Sequence, residues 1–490
     1  MVLLDFTPTL NVLIIFTVIS PLFSFLTRRL KLSGLIDGYT IAAFSLSLYL
    51  VLQEYGRISF GGPVRIVSAD NPLTSSVVYV DLLSVYVSTI FIFIGLLSSI
   101  FSVGYIEERK AEFYPVLLAM VTGMVGVAFS GDLLTFFVFW EMMSISSYIL
   151  VAFRYRRWEA VEAALKYLVM SAAGAAAILF AMSFLYGMVG TLNISVLASA
   201  LATSAAAGEI WSYAVIALLI AGFGVNAAMV PFHSWLPDAH PAAPSPISAM
   251  LSGVVIKTGI YAMFRLLTIV FPAALFNWSL VLLIFAALTM TFGNLLALLQ
   301  EDIKRLLAFS SIAHIGYIIF GLAIATSDGL AGGLFHVLNH ASMKALLFLA
   351  AGAFIHVTGT RNLDDLSGIG RTMPLAGATF AIGAFSLAGI PGLNAFWSEF
   401  QIITAGIKAG YTFFSALMIV NILIGVAYYL RLVQTLFFKP VSGISSKAHD
   451  AGVSLAIPLV VLSAAAVIIG VYPSPFLEAA FAVAGTILGA

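Results

Sequence analysis

Apolar runs long enough to cross a bilayer recur fourteen times in this 490-residue chain, and that recurrence decides the class of fold. A helix needs about 20 predominantly apolar residues to cross the hydrocarbon core. Such runs lie near 5–26, 33–53, 80–104, 113–130, 132–153, 160–188, 210–230, 245–268, 277–299, 306–325, 330–356, 375–407, 412–438 and 453–472, numbered here as spans 1 to 14. Charged residues make up only 9% of the chain, against about 25% in soluble domains. No water-soluble fold hides so much apolar surface. Lipid offers the backbone no water to bond, so the expected architecture is all-α and polytopic. The first residues, MVLLDFTPTL, lack a basic region and a small-residue cleavage site, and read as the start of a retained span.

The basic residues test this count. Loops after odd-numbered spans hold 14 of the 22 Lys and Arg; loops after even-numbered spans hold only Arg57, Arg65 and Lys408. Cytoplasmic loops carry the excess of Lys and Arg, so both termini are expected outside the cell membrane. The remaining five lie within spans: Lys166, Lys257, Arg265, Lys344 and Arg431. Acidic and basic residues balance at 22 each, so nucleic acid is not an expected partner. Cysteine is absent, which excludes Cys-ligated iron–sulfur or zinc centres in this chain. No cofactor, metal or redox active site is expected here.

An ion inside a bilayer costs about 2.5–3.5 kcal/mol on insertion scales, so ionisable groups at depth are functional candidates. Glu141 lies near the middle of span 5. Lys166 lies about two turns into span 6; it either pairs with Glu141 across the short loop or snorkels to the interface. Lys257 lies near the middle of span 8. Arg265, two turns further on, is expected to snorkel at the outer end. His336, His340 and Lys344 recur at i, i+4 and i+8 in GLFHVLNHASMKALLFL, which puts them on one face of span 11. The HxxxH spacing suits zinc, but no third ligand is near on that helix; two imidazoles leading to an amine suit a proton wire. His314 adds a titratable group on span 10. The loop with His233, Asp238 and His240 is rich in proline and reads as a capped cytoplasmic connection.

Two spans carry helix breakers. Pro231 interrupts the end of span 7; Gly389, Pro391 and Gly392 interrupt span 12 ahead of Glu399. Such breaks free backbone carbonyls and mark ion sites in transporters. They fall in the fourth helix of two five-span blocks set an odd number of spans apart, the pattern of inverted repeats. The expected organisation is a three-helix segment over 1–112, repeats over 113–268 and 275–438, and span 14 with a tail over 439–490.

The segments GDLLTFFVFWEMMSISSYIL, EAALKYLVMSA, MVPFHSWLPDAHPAAPSPISAMLSGVVIKTGIY, DIKRLLAFSSIAHIGY, HVLNHASMKALLFLAAG and LAGIPGLNAFWSEF together resemble the antiporter-like membrane subunits. That family comprises the D subunit of Mrp cation/proton antiporters, the proton-pumping subunits of complex I, and subunits of membrane-bound group 4 hydrogenases. The resemblance covers about residues 80–440. It implies a fourteen-helix fold with two inverted repeats and a polar chain along the midplane that carries protons, with sodium as a second candidate ion. Glu141, Lys166, Lys257, His314, His336, His340, Lys344 and Glu399 match family positions. It also implies partners: other membrane subunits of a hetero-oligomeric complex, with iron–sulfur or redox subunits on the cytoplasmic side. One position departs. The family has a lysine just before the broken-helix proline where this chain has Asn226, which cannot titrate. That substitution leaves three readings: a pumping subunit of a redox-driven complex, a subunit of a Mrp-type Na⁺/H⁺ antiporter, or a scaffold that has lost full pumping. Glu399 favours the hydrogenase and complex I branches. Asn226→Lys is expected to be tolerated by the fold.

Overall fold

The computed structural model describes residues 7–30, 32, 34–67, 77–202, 205, 209–450 and 452–488. It is helical almost throughout. Among the described residues, twelve helices are long and apolar enough to cross a membrane. Spans 7 and 12 complete the expected fourteen as broken helices, Ile210–Asn226 followed by Leu236–Ala242, and Pro374–Leu387 followed by Asn394–Lys408. Among the described residues the one sheet is a hairpin of Val64–Val67 and Val77–Val80, between spans 2 and 3.

Local chemistry sets the helix ends. The first four backbone N–H groups of a helix have no internal partner, and short polar side chains supply one here. Asp81 accepts from Ser84 N at 2.9 Å to open span 3, Leu82–Tyr105. Asp132 accepts from Thr135 N at 2.8 Å to open span 5, Leu133–Val151. Asp302 accepts from the backbone of Lys304 and Arg305 to open span 10, Ile303–Ala323. Spans 6 (Trp158–Val189) and 11 (Ser327–Thr358) are both 32 residues long, and each stops at a glycine in the left-handed region, Gly190 and Gly359.

These features come in pairs. The backbone beside Asp132 bridges that beside Asn193, and the backbone beside Asp302 bridges that beside Asn362. Each bridge ties the start of the second helix of a block to the end of its third. Gly123 in span 4 lies against Met143 N of span 5, and Gly293 in span 9 against Ala313 N of span 10; a Cβ at either would sit 2.6 or 2.5 Å from that backbone. Spans 8 (Ser245–Ile269) and 13 (Thr412–Phe438) each contain one π-helical stretch, Leu251–Val255 and Gln434–Phe438.

The spans differ in enclosure. Spans 8 and 10 are buried on every side, whereas spans 1, 6 and 13 turn most of their surface outward. Lipid cannot satisfy polar groups, so a helix that carries them, as span 8 carries Lys257 and Arg265, is enclosed by other helices. One element departs from the expected organisation. After span 14, Val453–Val471, the chain turns at Pro473 and forms a further apolar helix, Ser474–Leu488, in place of a plain tail. It packs on spans 11 and 3 and on the Ile256–Ile269 half of span 8.

Candidate functional site

The two helix breaks place polar groups deep in the bundle. In span 12 the chain leaves the helix after Leu387, and Gly389 takes a φ of 72° and Gly392 one of 92°. Gly389 is required by space as well, since a Cβ there would meet Glu399 Oε2 at 2.7 Å. Glu399 therefore folds beneath the break, and its Oε1 is buried without a hydrogen-bond partner. In span 7 the helix stops at Asn226, and its Oδ1 accepts from Gly259 N of span 8 at 3.0 Å. The Asn226 Nδ2 is buried and unpartnered.

Spans 10, 11, 12 and 13 then converge on one polar file. His336 Nδ1 and Ser398 Oγ share a hydrogen bond of 2.9 Å, and His336 Nε2 lies 3.1 Å from His314 Nδ1. His314 Nε2 lies 3.4 Å from the Tyr429 hydroxyl, which accepts from Lys344 Nζ at 3.2 Å. Lys344 also donates to Ser310 Oγ, and to Leu307 O at 3.3 Å. His340 stacks beside His314 at 5.0 Å between ring centroids, with neither ring nitrogen bonded to protein. Every ionisable member of this file is nearly or wholly buried. A second cluster flanks it. Asn294 of span 9 bonds Tyr317, Asn421 and Tyr428 at 2.9–3.1 Å, and Tyr317 stands edge-on to His314 at 5.0 Å.

Lys257 joins this file from the other block. The π-helical stretch releases carbonyls from the regular ladder, and Lys257 Nζ donates back to one of them, Ser252 O. Ser252 Oγ in turn shares a 2.7 Å hydrogen bond with Ser311 Oγ of span 10. Lys257 is wholly surrounded and makes no ion pair with a described carboxylate.

The expected Glu141–Lys166 pair is not formed. Lys166 is half exposed, and its Nζ lies 2.9 Å from both Glu162 and Asp238. Its stem reaches toward the basic face, where two carboxylates wait in a wetter setting, so it snorkels. Glu141 is at the expected depth but does not point into the bundle. It lies on the outward stripe of span 5 with Leu134, Val138, Ile145 and Ile149, half buried, with Oε1 unpartnered. Arg265 corrects the opposite expectation. It does not snorkel but is buried, with both terminal guanidinium nitrogens donating to Asp81, Nη2 also to Ser84 Oγ, and Nε to the Tyr261 hydroxyl. The proline-rich loop is also more than a connection. Leu236–Ala242 re-enters the bundle as the second half of span 7 and buries His240 completely.

His314, His336 and Glu399 hold their ligand atoms within 4.8 Å of one another, the one such set among the described residues. This set takes only His336 from the HxxxH pair; His314 and Glu399 come from neighbouring helices, and His340 is not part of it. In this arrangement His314 Nδ1 and His336 Nε2 bond each other, which occupies the donor set with a proton. The hydroxyls of Ser310, Ser398 and Tyr429 do not stand out in the sequence. Their signal is a polar side chain inside an apolar span, which needs a partner there as an ion does.

A family described as "NADH:quinone oxidoreductase/Mrp antiporter, TM" matches residues 130–425. The chain is 35% identical over 461 residues to F(420)H(2) dehydrogenase subunit N of Methanosarcina mazei, covering 90% of this chain and 91% of that one. It is 31% identical over 482 residues to the D subunit of a Na(+)/H(+) antiporter of Alkalihalophilus pseudofirmus, covering 98% and 96%. A chain of the membrane-bound sulfane sulfur reductase, an archaeal respiratory membrane complex, superposes with a TM-score of 0.89 at 30% identity over 98% of this chain and 97% of its own.

Proposed function

This chain belongs to the NADH:quinone oxidoreductase/Mrp antiporter membrane family, and from that premise we propose that its buried file conducts protons for a larger redox-driven complex. The chain is an ion-translocating, multi-pass membrane subunit that works with other membrane subunits. The observation that carries the proton reading is the unbroken run Ser398–His336–His314–Tyr429–Lys344–Ser310, with Glu399 Oε1 beside it, 4.0 Å from His314 Nδ1. Imidazole, phenol, amine and hydroxyl both give and accept hydrogen bonds in turn. Water completes the steps at His340 and Asn226, where the protein leaves nitrogen atoms unpaired.

Residues 113–268 and 275–438 are read as the two inverted repeats, supported by the paired bridges, glycines, π-helical stretches and broken helices. The cytoplasmic face is read as the one with most Lys and Arg. Redox partners, with their iron–sulfur centres, are assigned to that face; the likeness to F(420)H(2) dehydrogenase subunit N and to the sulfane sulfur reductase supports this, as does the lack of cysteine in this chain. The membrane-bound hydrogenase and complex I branches are both served by this reading. Glu141, half buried at mid-depth on an outward face, suits contact with a neighbouring membrane subunit. The second reading is a Mrp-type antiporter moving Na⁺, favoured by the likeness to the Alkalihalophilus antiporter chain. Na⁺ prefers oxygen ligands, and in the file the nitrogens of His314, His336 and Lys344 alternate with the hydroxyls.

The test is Lys344→Gln and Glu399→Gln in the intact complex, reconstituted in vesicles. Proton translocation should fall at least ten-fold with assembly unchanged. Wild-type translocation in both assembled variants overturns the proton file; a strict requirement for Na⁺ in the wild type favours the second reading.

A further inference from the structure

A proton file needs a way in from solvent, and the residues that supply one lie outside the file itself. On the basic face a cavity of about 470 Å³ is lined by Arg154, Arg157, Glu301, Asp302, Lys304 and Arg361, among others. Lys304 is a loop cation by its place in the sequence but is 1% exposed. It makes no ion pair among the described residues. Its Nζ donates to Ala243 O at 2.8 Å and to Ser248 Oγ at 3.2 Å. Ser248 Oγ donates to the backbone oxygen of His240 at 2.9 Å.

His240 is wholly buried, and neither of its ring nitrogens has a partner. Leaving buried polar groups unpaired costs about 1–3 kcal/mol each, so a histidine kept only for packing is poorly placed here. Its ring stacks on Phe348 at 4.4 Å. Phe348 is four residues beyond Lys344 on span 11, about 6 Å along the helix toward the basic face. Lys304 lies six residues before Ser310 on span 10, about 9 Å along that helix, and Ser310 holds Lys344. His240 thus sits between the buried amine at the cavity and the buried amine of the file. The charged groups that act on it are Lys304, Lys344 and Lys257; those around Lys304 are Arg154, Arg361, Asp302 and Glu159.

We propose that Lys304 and His240 form the inlet that passes protons from the basic-face cavity to Lys344. This rests on the proton-file reading above. Lys304 at the cavity hands a proton, through water, to the bare nitrogen of His240; the other nitrogen releases its proton toward Lys344, Lys304 takes a new proton from the cavity, and the ring, left as the opposite tautomer, turns over before the next transfer. An imidazole with both nitrogens free of protein partners can be protonated on one side and deprotonated on the other.

The experiment uses the intact complex in vesicles with the pH of each side set independently. His240→Gln and Lys304→Gln are each expected to lower translocation at least ten-fold. The residual rate should rise about ten-fold for each unit by which the basic-face pH is lowered, and should not respond to the pH of the other side. A packing role would produce no such one-sided rescue, so a slow rate indifferent to pH overturns the inlet. His240→Phe, which fills the slot against Phe348, also overturns it if translocation stays at the wild-type rate. Lys304→Gln, on a different helix, decides the matter where the His240 variants do not assemble. Lys344→Gln separates the two levels: if it abolishes translocation while both inlet variants run normally, the inlet fails and the file stands; if it too runs normally, the file itself fails.

Discussion

Asn226→Lys puts the family's usual amine back at the end of span 7, and the structure gives the size of the effect. The Asn226 Oδ1 is the acceptor for Gly259 N at 3.0 Å. Lysine has no acceptor, so the substitution orphans a buried backbone donor, at about 1–3 kcal/mol. The new amine adds about 2.5–3.5 kcal/mol on insertion scales. It also has little room, because Gly259 packs directly on this corner; a Cβ there would lie 2.7 Å from Phe223 O and 3.0 Å from Asn226 Oδ1. The two terms sum to roughly 3.5–6.5 kcal/mol, a large share of the 5–15 kcal/mol that holds a typical domain together. The expectation from sequence, that the fold tolerates this change, is therefore reversed: intact complex should be recovered in lower yield, with a lower thermal midpoint and reduced translocation. Asn226→Leu, which loses only the hydrogen bond, should cost about 1–3 kcal/mol, and Asn226→Asp, which keeps the acceptor, should sit between wild type and lysine. The assay is native-gel yield and thermal denaturation of the purified complex, followed by translocation at matched protein. An Asn226→Lys complex with unchanged midpoint and full translocation would refute the reasoning, since it would mean water already reaches the amide.

Glu141→Gln keeps shape and removes charge from the outward carboxylate; coupled translocation in vesicles should fall while assembly persists, and unchanged coupling would remove Glu141 from the pathway. Lys166→Met should be mild, leaving the thermal midpoint close to that of wild type, because half-exposed ion pairs contribute little; a loss of translocation comparable to Lys344→Gln would restore Lys166 to the pathway. Asp81→Ala strands the buried Arg265 guanidinium and should cost about 3–5 kcal/mol, whereas adding Arg265→Met to it should recover most of that, both read as thermal midpoints of the complex. Additive losses in the double variant would show that the pair is not one unit.

The fourteen spans are legible because length and apolarity act together in a bilayer, and glycine and proline announce both breaks. The face of a residue is not legible. Span 5 is apolar all round, so its periodicity does not say that Glu141 looks outward. A short loop makes spans 5 and 6 neighbours but does not turn Glu141 and Lys166 toward each other. Arg265 lies far enough along its helix to snorkel by the usual rule, but the rule does not know of Asp81, which is 184 residues away in sequence. His240 sits in a proline-rich segment that looks like a surface turn and re-enters the bundle instead. Ser474–Leu488 has 15 residues, too few to register as a span. In the file, ionisable groups stand out by their cost in lipid, whereas Ser310, Ser398 and Tyr429 become visible only once the helices are brought together.

The enclosure of span 8 bears on how such a chain is made. Spans 8 and 11 are the least apolar of the long helices, well below spans 9 and 14. Span 8 carries two wholly buried cations, Lys257 and Arg265, which add about 5–7 kcal/mol to its transfer into lipid. A helix so burdened cannot wait in bare lipid for neighbours that come later. Asp81 caps span 3 and leaves the ribosome 184 residues before Arg265, so its carboxylate is already in place at the end of span 3 when span 8 emerges. The order of synthesis therefore places the anchor in the membrane first and delivers the costly helix to it.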